Sequence, residues 1–480
     1  MSPSSIVEVR QLADLIPLMQ QSPGFSDLAA ALRKEQPVSI AGAWGSSRAL
    51  ILDTIQKELG RPLLVIAPRQ PELEELEYDF SDWRDETPQV FPAWQTLPRE
   101  HSIADPIFGA RLRALSNIHS ENPPSLVLAS ISALLQPVPT KEALKTSERS
   151  LTVGEEIDLD GLVDWLIERK FERVNLVESP GEFRIHGGIV DIFPPDALDP
   201  IRLELFGDEI DSLRSFDAES QRTLETLKNI KLSVVNPVEF TGEVAGSDEG
   251  ETLLENLPAD YLIALSEPMD LQQEGRDYLN RLDNPRGLYT TETVLKLCLS
   301  RSHVSLSALG GEPRKDLAEL NLHVESVERL TGPKHQVLNE LAGLLAQEES
   351  VLIACYNPGE QERLGELLGE VEGLAGRVHL CLGRVQKGFR LVDRKLMVIG
   401  DHELFGRSDV QRTPRRRRKS AQSRAIDNFL DLQEGDHVVH LSHGIGRFRG
   451  MKMIEKDDQP EEHLAIEFAD KILIYVPVSL

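Results

Sequence analysis

The sequence has little cysteine, few aromatic residues, no long apolar run and a shortage of positive charge. Its three cysteines, Cys298, Cys355 and Cys381, form no CxxC pair, which argues against a zinc ribbon or a disulfide framework. Apolar runs such as residues 63–67 fall far below the roughly 20 residues that span a bilayer. The N-terminus also lacks the basic and apolar regions of an export signal. The sequence therefore predicts a cytoplasmic protein whose cysteines are reduced and mostly buried.

Positive charge is scarce, with 52 Lys and Arg residues against 79 Asp and Glu residues and a net charge of -27. A protein that wraps DNA has to neutralise phosphates, so this charge leaves room for local nucleic-acid contact only. An aromatic content of 5% also argues against an extended base-stacking surface. The chain of 480 residues, with 40% hydrophobic and 27% charged residues, is typical of a globular protein of about three domains.

The apolar periodicity predicts an α/β multidomain protein. Between residues 37 and 135, short aliphatic runs alternate with amphipathic stretches, which indicates a parallel sheet covered by helices. The period changes to two between Phe183 and about Val235, as in antiparallel hairpins, and mixed α/β character then returns. We therefore expect the insert to interrupt one domain. The predicted segments are 1–150, a helicase-like α/β domain, first part; 151–236, an antiparallel β insert; 237–325, the second part of that domain; 326–408, a separate small α/β domain; 409–430, a basic linker; and 431–480, an SH3/Tudor-like β barrel.

The predicted linker contains the basic block RRRRK, between Arg415 and Lys419. Like charges in a row repel one another, so this block indicates a flexible, solvated segment, and weak local contact with DNA is the alternative. Four short predicted strands follow between residues 437 and 476, with glycine and acidic turns between them. This pattern suits a small barrel.

The turn after the first predicted strand resembles a phosphate loop but lacks its essential residues. Such a loop reads GxxxxGK[ST], in which backbone amides cradle the phosphates while the lysine and the hydroxyl serve charge and Mg²⁺. The turn that begins at Gly42 reads GAWGSSRA, with Gly45 inside it. Ser47, Arg48 and Ala49 stand where the second glycine, the lysine and the hydroxyl are needed. We expect no ATP binding here, whether the turn is a decayed ATPase loop or an ordinary strand-to-helix turn.

Other polar clusters are weaker candidates for chemistry. Carboxylates follow two predicted strands, at Glu267 and at residues 401–403, and without a phosphate loop we expect them to be solvated. His437, His440 and His443 are spaced by three residues, so successive side chains on a strand lie on opposite faces and do not converge on a metal ion. The sequence predicts no metal site.

The strand at residues 201–206 shows an unusual exposed face. Alternation places its three aliphatic residues inward and Arg202, Glu204 and Phe206 outward. The neighbouring run adds Arg184 and His186 in the same way. Arginine and aromatic residues are typical of interface hot spots, and a surface ion pair beside a half-buried phenylalanine is the alternative.

Two segments carry a family resemblance. Residues 181–216, GEFRIHGGIVDIFPPDALDPIRLELFGDEIDSLRSF, with SQRTLE at 220–225, resemble the UvrA-binding insert shared by UvrB and the transcription-repair coupling factors. Residues 435–451, GDHVVHLSHGIGRFRGM, with the ending YVPVSL, resemble the RNA-polymerase-interacting domain that the coupling factors share with CarD-type regulators. UvrB is the poorer match, because residues 90–110 are tyrosine-free where UvrB has a tyrosine-rich hairpin. The chain is thus similar to the N-terminal portion of a bacterial transcription-repair coupling factor.

The resemblance implies two sets of contact residues. Contact with UvrA is implied at Arg184, His186, Arg202, Glu204 and Phe206, although the family commonly has arginine where His186 stands. Contact with the β subunit of RNA polymerase is implied at Arg447, Phe448 and Ile454, and core packing of Phe448 and solvation of Arg447 remain open.

The resemblance also implies a function. We expect an adaptor of transcription-coupled nucleotide excision repair that binds stalled RNA polymerase and recruits UvrA. In the family an ATP-dependent DNA translocase motor follows the barrel; we expect that motor, with its ATP, Mg²⁺ and main DNA contacts, to be missing from this chain. The chain itself is then no ATPase and needs no cofactor. A UvrB-like ATPase that verifies damage and a CarD-type transcription regulator are the alternatives.

Overall fold

A computed structural model describes most of the chain. The described residues are 9, 11–84, 86–94, 103–235, 250–282, 285–309, 318–327, 341, 343, 345, 349–369, 374, 376–405, 437–440, 444–456, 459–468 and 473–477. They form two compact units, Met1–Pro414 and Arg415–Leu480. The predicted basic linker with its block from Arg415 to Lys419, and His443, lie outside the described residues. No helix in the part that the structure describes is long and apolar enough to cross a membrane.

A seven-stranded sheet, in which every described strand pair is parallel, organises the first unit. Strands from before and after the insert lie next to one another in this sheet. Both faces of the sheet are covered, so a strand such as Leu63–Ala67 is an unbroken apolar run. Across the sheet the strands are β17 (Ala318–Asn321), β1 (Val38–Ala41), β16 (His303–Ser307), β15 (Leu262–Ser266), β2 (Leu63–Ala67), β4 (Leu126–Ser130) and β3 (Gln89–Phe91).

Helices flank this sheet and the smaller ones. Pro17, Pro71, Pro106 and Pro268 lie in the first turn of their helices, where a proline costs no intrahelical hydrogen bond. The α-helices are Ile16–Gln20, Phe25–Arg33, Ser47–Leu59, Gln70–Trp83, Pro106–Ile118, Ile131–Leu135, Lys141–Thr146, Leu159–Glu168, Leu253–Asn256, Pro268–Asn280, Thr291–Leu299, Pro358–Gly369 and Asp401–Phe405, with 3-10 turns at Leu12–Leu15 and Val392–Arg394.

The insert is a six-stranded sheet that is antiparallel except for one short parallel pair, between Glu172–Arg173 and Glu182–His186. Its apolar face packs into the same hydrophobic core as one face of the parallel sheet, through residues such as Phe183, Leu203 and Leu213. The strands in order are β12 (Thr223–Leu227), β11 (Glu209–Phe216), β10 (Ile201–Phe206), β9 (Ile189–Ile192), β8 (Glu182–His186) and β7 (Glu172–Arg173). Two small antiparallel pairs accompany it: β6 (Glu148–Thr152) with β13 (Asn229–Ser233), and β5 (Val138–Pro139) with β14 (Gly250–Glu251).

The small α/β region forms a mixed five-stranded sheet, in the order β18 (Val324–Ser326), β21 (Phe389–Leu391), β22 (Leu396–Gly400), β19 (Ser350–Cys355) and β20 (Val378–Leu382). One face has a core of its own, which includes Val351 and Met397. The other face, with Leu352 and Phe389, shares a core with Val38 and the rest of the second face of the parallel sheet. At this face, apolar side chains of the two sheets bury one another.

The second unit contains a four-stranded antiparallel sheet of β23 (His437–His440), β24 (Gly444–Lys456), β25 (Gln459–Glu467) and β26 (Leu473–Pro477), paired in chain order. A register shift between Phe448 and Met451 interrupts the pairing of β24 with β25. Val438, Phe448 and Ile466 are buried together on this sheet. The structure thus confirms a mixed α/β protein with parallel and antiparallel sheets.

Candidate protein-binding face and the occupied loop

Four charged residues line up across the outer face of the insert. The register pairs Arg184 with Asp191, Asp191 with Arg202, and Arg202 with Arg214 on four adjacent strands. Residues of the opposite face, such as Ile201, are buried, so the inward and outward faces lie as the alternation predicts. We call Arg184, Asp191, Arg202 and Arg214 the cross-strand row.

Arg202 is held tightly within this row. Its Nε donates to Asp191 Oδ1 at 2.6 Å and its Nη2 donates to Asp191 Oδ2 at 2.9 Å. Nη2 also donates to Gln221 Oε1 at 3.1 Å, and the guanidinium carbon lies 4.4 Å from the centre of the Phe216 ring. The hydrogen bonds to Asp191 raise the pKa of Arg202 above its usual range. Arg202 is therefore a cation held in a fixed position, and its side chain is 20% exposed.

The other charged candidates differ in their pairing. Glu204 accepts a hydrogen bond from Ser212 Oγ at 2.8 Å and forms an ion pair with Arg214. Arg184 is half-buried and His186 is exposed, and neither has an ion-pair partner among the described residues. Arg184 thus carries a positive charge that no described carboxylate pairs with.

Phe206 ends β10 and projects into solvent. A register shift between Glu204 and Leu205 precedes it, and Gly207 follows it with a φ of 64°, in the region that favours glycine. The residue is 83% exposed. A phenyl ring left this exposed loses the benefit of burial unless a partner covers it.

The structure brings in three residues that the sequence reasoning missed: Asp191, Phe216 and Gln221. A signal for Asp191 was present, because the Gly187–Gly188 pair between β8 and β9 is a two-residue hairpin loop. Such a loop sets the register, and that register places Asp191 opposite Arg184. No comparable signal existed for Phe216 or Gln221.

The turn that resembles a phosphate loop is occupied by another part of the chain. Ser46 donates its backbone N–H to Lys387 O at 3.0 Å, and its hydroxyl donates to Asp79 Oδ1 at 2.8 Å. A Cβ added to Gly45 would lie 2.5 Å from Lys387 O. The segment between β20 and β21 is therefore in direct contact with the turn. Gly42 has a φ of 79° and closes the strand end, as a turn glycine does.

Arg48, at the position of the catalytic lysine, points to protein groups. Its Nη1 donates to Ser266 Oγ at 3.2 Å and its Nε donates to Gly45 O at 3.3 Å. Glu75 lies 4.0 Å from Nη2. Ser47 is buried, and its hydroxyl makes no hydrogen bond within the described part of the chain. The loop residues thus hold this turn and its surroundings together.

The carboxylates that follow two strands are not simply solvated, so that expectation is wrong. Glu267 adopts a left-handed φ of 51° and accepts the backbone N–H of Ala308 at 2.9 Å; burial raises its pKa. Glu403 accepts the backbone N–H groups of Gly388 and Gly400, each at 2.9 Å. Both side chains satisfy backbone amides at the ends of strands. Among the described residues, no three His, Cys, Asp or Glu side chains are grouped to hold a metal ion.

The residues implied for polymerase binding lie on one strand, β24. Arg447 is exposed and Phe448 is 4% exposed, so Phe448 belongs to the core of this sheet. Ile454 pairs with Glu461 across the ladder. Their role in binding remains a prediction.

Comparison with known proteins matches two segments to families. Residues 150–236 match the UvrB interaction domain, and residues 432–480 match the CarD-like/TRCF RID domain. The match to a solved structure titled XPD_Helicase covers 77% of this chain and 79% of that chain at 8% sequence identity. Its TM-score of 0.22 is too low to support a statement about the fold.

Curated relatives extend the similarity along the chain. The transcription-repair-coupling factor of Bacillus subtilis (strain 168) is 27% identical and covers 92% of this chain and 44% of its own length. The factor of Myxococcus xanthus is 28% identical, and the match covers 95% of this chain and 46% of that protein. The factor of Escherichia coli (strain K12) is 26% identical, and the match covers 91% of this chain and 44% of that protein. The chain thus spans less than half the length of these relatives. The two domain matches and this extended similarity make the chain similar to the N-terminal part of the transcription-repair-coupling factors.

Proposed function

We propose that this chain is an adaptor of transcription-coupled nucleotide excision repair, which binds UvrA through the insert and stalled RNA polymerase through the C-terminal domain, in the cytoplasm. One observation carries the proposal. Phe206, which is 83% exposed, lies on the same strand as the fixed Arg202, inside the segment that matches the UvrB interaction domain.

The geometry of this face favours protein binding. Hot spots of interfaces are rich in arginine and aromatic residues, and a side chain that is already ordered loses less entropy on binding. Arg202 is ordered by Asp191 and Gln221, and Phe206 offers apolar area. Together they form an anchor of the kind that a partner covers.

The C-terminal domain supplies the second contact. We propose that β23 to β26 close as an SH3/Tudor-like barrel and that Arg447 and Ile454 contact the β subunit of RNA polymerase, with Phe448 supporting the strand from the core. The basic block between Arg415 and Lys419 would make weak contact with nearby DNA, since lysine and arginine attract phosphates without reading sequence.

We also propose that this chain is no ATPase and that its turn at Gly42 binds no nucleotide. The contact of Lys387 with Ser46 and the pairing of Arg48 with Ser266 support this, because both use groups that a phosphate would need. The ATP, the Mg²⁺ and the main DNA contacts of the family would belong to a motor outside this sequence. The UvrB-like ATPase is therefore disfavoured, and the match of residues 150–236 disfavours a CarD-type regulator.

The test is the affinity of the full chain for purified UvrA, measured by calorimetry. We expect Phe206→Ala and Arg202→Ala to weaken binding at least tenfold each, or about 2 kcal/mol or more. Leu224→Ala is the matched control, because Leu224 is an exposed aliphatic residue on β12, two strands away from β10 in the same sheet, and it should bind within twofold of wild type. No binding by the wild type, or equal binding by all variants, would overturn the proposal for this face. Pull-down of RNA polymerase with the same proteins tests the other half separately, and both variants should retain it.

A further inference from the structure

We propose that Asp191 is the positioning residue of this face: it fixes Arg202 so that the free Nη1 edge of the guanidinium meets an acidic patch of the partner. The inference rests on the proposed function, because UvrA is the partner in its test. It concerns a residue that would not itself touch UvrA.

Asp191 is built to hold a guanidinium. Both of its carboxylate oxygens accept from Arg202, at 2.6 and 2.9 Å, in the bidentate geometry that matches the arginine fork. The residue is only 2% exposed, so it has no room to move away or to meet another protein. Its charge is neutralised by the arginine that it orients.

Arg202 retains one set of donors for a partner. Its Nε and Nη2 are engaged by Asp191 and Gln221, and the Phe216 ring covers one side of the guanidinium. Nη1 has no hydrogen-bond partner among the described residues. Since the Arg202 side chain is 20% exposed, the part that reaches solvent is small and has a defined direction.

The charges around Arg202 indicate the kind of surface that it contacts on the partner. Asp191 offsets Arg202 and Glu204 offsets Arg214, whereas Arg184 forms no ion pair among the described residues. Like charges across an interface are costly and opposite charges are favourable. A carboxylate patch on UvrA fits this face best.

A double-mutant cycle tests the positioning role. We expect Asp191→Asn to weaken UvrA binding about tenfold in the wild type and less than twofold in an Arg202→Ala background, because the aspartate acts through the arginine. Gln221→Ala leaves the buried carboxylate in place and should give a smaller loss that also vanishes in that background. Glu148→Gln, which breaks the exposed ion pair with Lys231 in the separate pair of strands β6 and β13, should change nothing. Unchanged binding by Asp191→Asn, or equal losses in both backgrounds, would overturn the proposal.

A second readout needs no UvrA. In the full chain with ¹⁵N-arginine, the Nε–H signal that Arg202→Ala removes should exchange slowly with water and should exchange at least tenfold faster in Asp191→Asn. Fast exchange in the wild type would overturn the positioning role even if UvrA binds. Slow exchange in a wild type that fails to bind UvrA would instead overturn the proposed function and leave the Asp191–Arg202 geometry intact.

Discussion

Ser46 and Lys387 exchange hydrogen bonds with each other. The backbone N–H of Ser46 donates to Lys387 O at 3.0 Å, and the backbone N–H of Lys387 donates to Ser46 Oγ at 3.1 Å. The two residues are far apart in the sequence, and they join the turn before the helix Ser47–Leu59 to the segment before β21. A turn that holds phosphate in nucleotide-binding domains thus holds protein backbone here.

This contact predicts an unequal effect of two glycine substitutions at the ends of the same helix. Gly45 and Gly60 have similar left-handed φ values, 53° and 63°, so alanine at either position costs about 1–2 kcal/mol of backbone strain. Only at Gly45 would the new Cβ meet Lys387 O, and we expect a further loss of about 1–3 kcal/mol from that overlap. Urea unfolding of Gly45→Ala and Gly60→Ala measures the difference. Equal losses would contradict the close approach of Lys387.

The raised pKa of Asp79 predicts that the stability of the protein depends on pH. Burial is the largest influence on this carboxyl and raises its pKa to about 7. The charge of Glu75 also raises the pKa. The hydrogen bonds from Ser46 and Gln386 and the charge of Arg48 lower it, but by less than burial raises it. The folded chain therefore keeps a proton that the unfolded chain has lost, so stability contributed by Asp79 falls as the pH rises from about 4 to 7.

The variant Asp79→Asn removes this titration and keeps an oxygen acceptor for Ser46. The free energy of unfolding of the variant minus that of the wild type should rise by a few kcal/mol between pH 4 and pH 8, because a tenfold change in proton affinity corresponds to about 1.4 kcal/mol. Urea titrations at four pH values give this difference. A difference that stays constant with pH would show that Asp79 is ionised throughout.

Arg384 and Asp82 should be energetically coupled. Arg384 donates from Nε and Nη2 to the two carboxylate oxygens at 2.5 and 2.7 Å, and both side chains are 17% exposed. The ring of Tyr78 lies 4.3 Å from the guanidinium, and the hydrogen bonds from Asp82 raise the pKa of Arg384. We expect a coupling of about 1–3 kcal/mol in a double-mutant cycle of Arg384→Ala and Asp82→Ala, because the pair is bidentate and half-buried.

The matched control for that cycle is Arg276 with Glu292, which form an ion pair at 2.8 Å with both side chains at least half exposed. Exposed pairs are screened by water and salt, so this cycle should show no measurable coupling. If the two cycles agree, the Arg384–Asp82 pair does not fasten the small sheet to the helix Gln70–Trp83.

Restoring the phosphate-loop sequence should not restore nucleotide binding. The triple variant Ser47→Gly, Arg48→Lys, Ala49→Thr recreates the motif, but Lys387 still covers the turn. A fluorescent ATP analogue with Mg²⁺ should therefore show no saturable binding to the triple variant or to the wild type. Saturable binding by the wild type would revive the ATPase alternative.

The C-terminal sheet predicts different consequences for two adjacent residues. Phe448 is buried with Val438 and Ile466, so Phe448→Ala should destabilise this unit by about 3–5 kcal/mol. Arg447 is exposed, so Arg447→Ala should leave the unfolding transition unchanged and weaken the pull-down of RNA polymerase. Normal polymerase binding by Arg447→Ala would remove that residue from the proposed contact.

Local apolar patterns were enough to predict the strands whose structure depends mainly on their own residues. The unbroken apolar run of β2 and the alternation in β10 predicted a buried parallel strand and a two-faced antiparallel strand, and both are confirmed. The alternation also predicted which side of β10 carries Arg202 and Phe206, because side chains on a strand repeat every two residues. The roles of those residues in binding stay predictions.

By itself, the sequence determined the buried strand β2 and the outward face of β10, since each follows from local apolar periodicity. Only the tertiary structure decided that Asp191 and Gln221 clamp Arg202 and that Lys387 covers the turn at Ser46. It also decided that Glu403 binds Gly388 and that the small sheet shares a core with the parallel sheet. These contacts join residues from distant segments, and their geometry depends on how whole sheets pack, which no local pattern encodes.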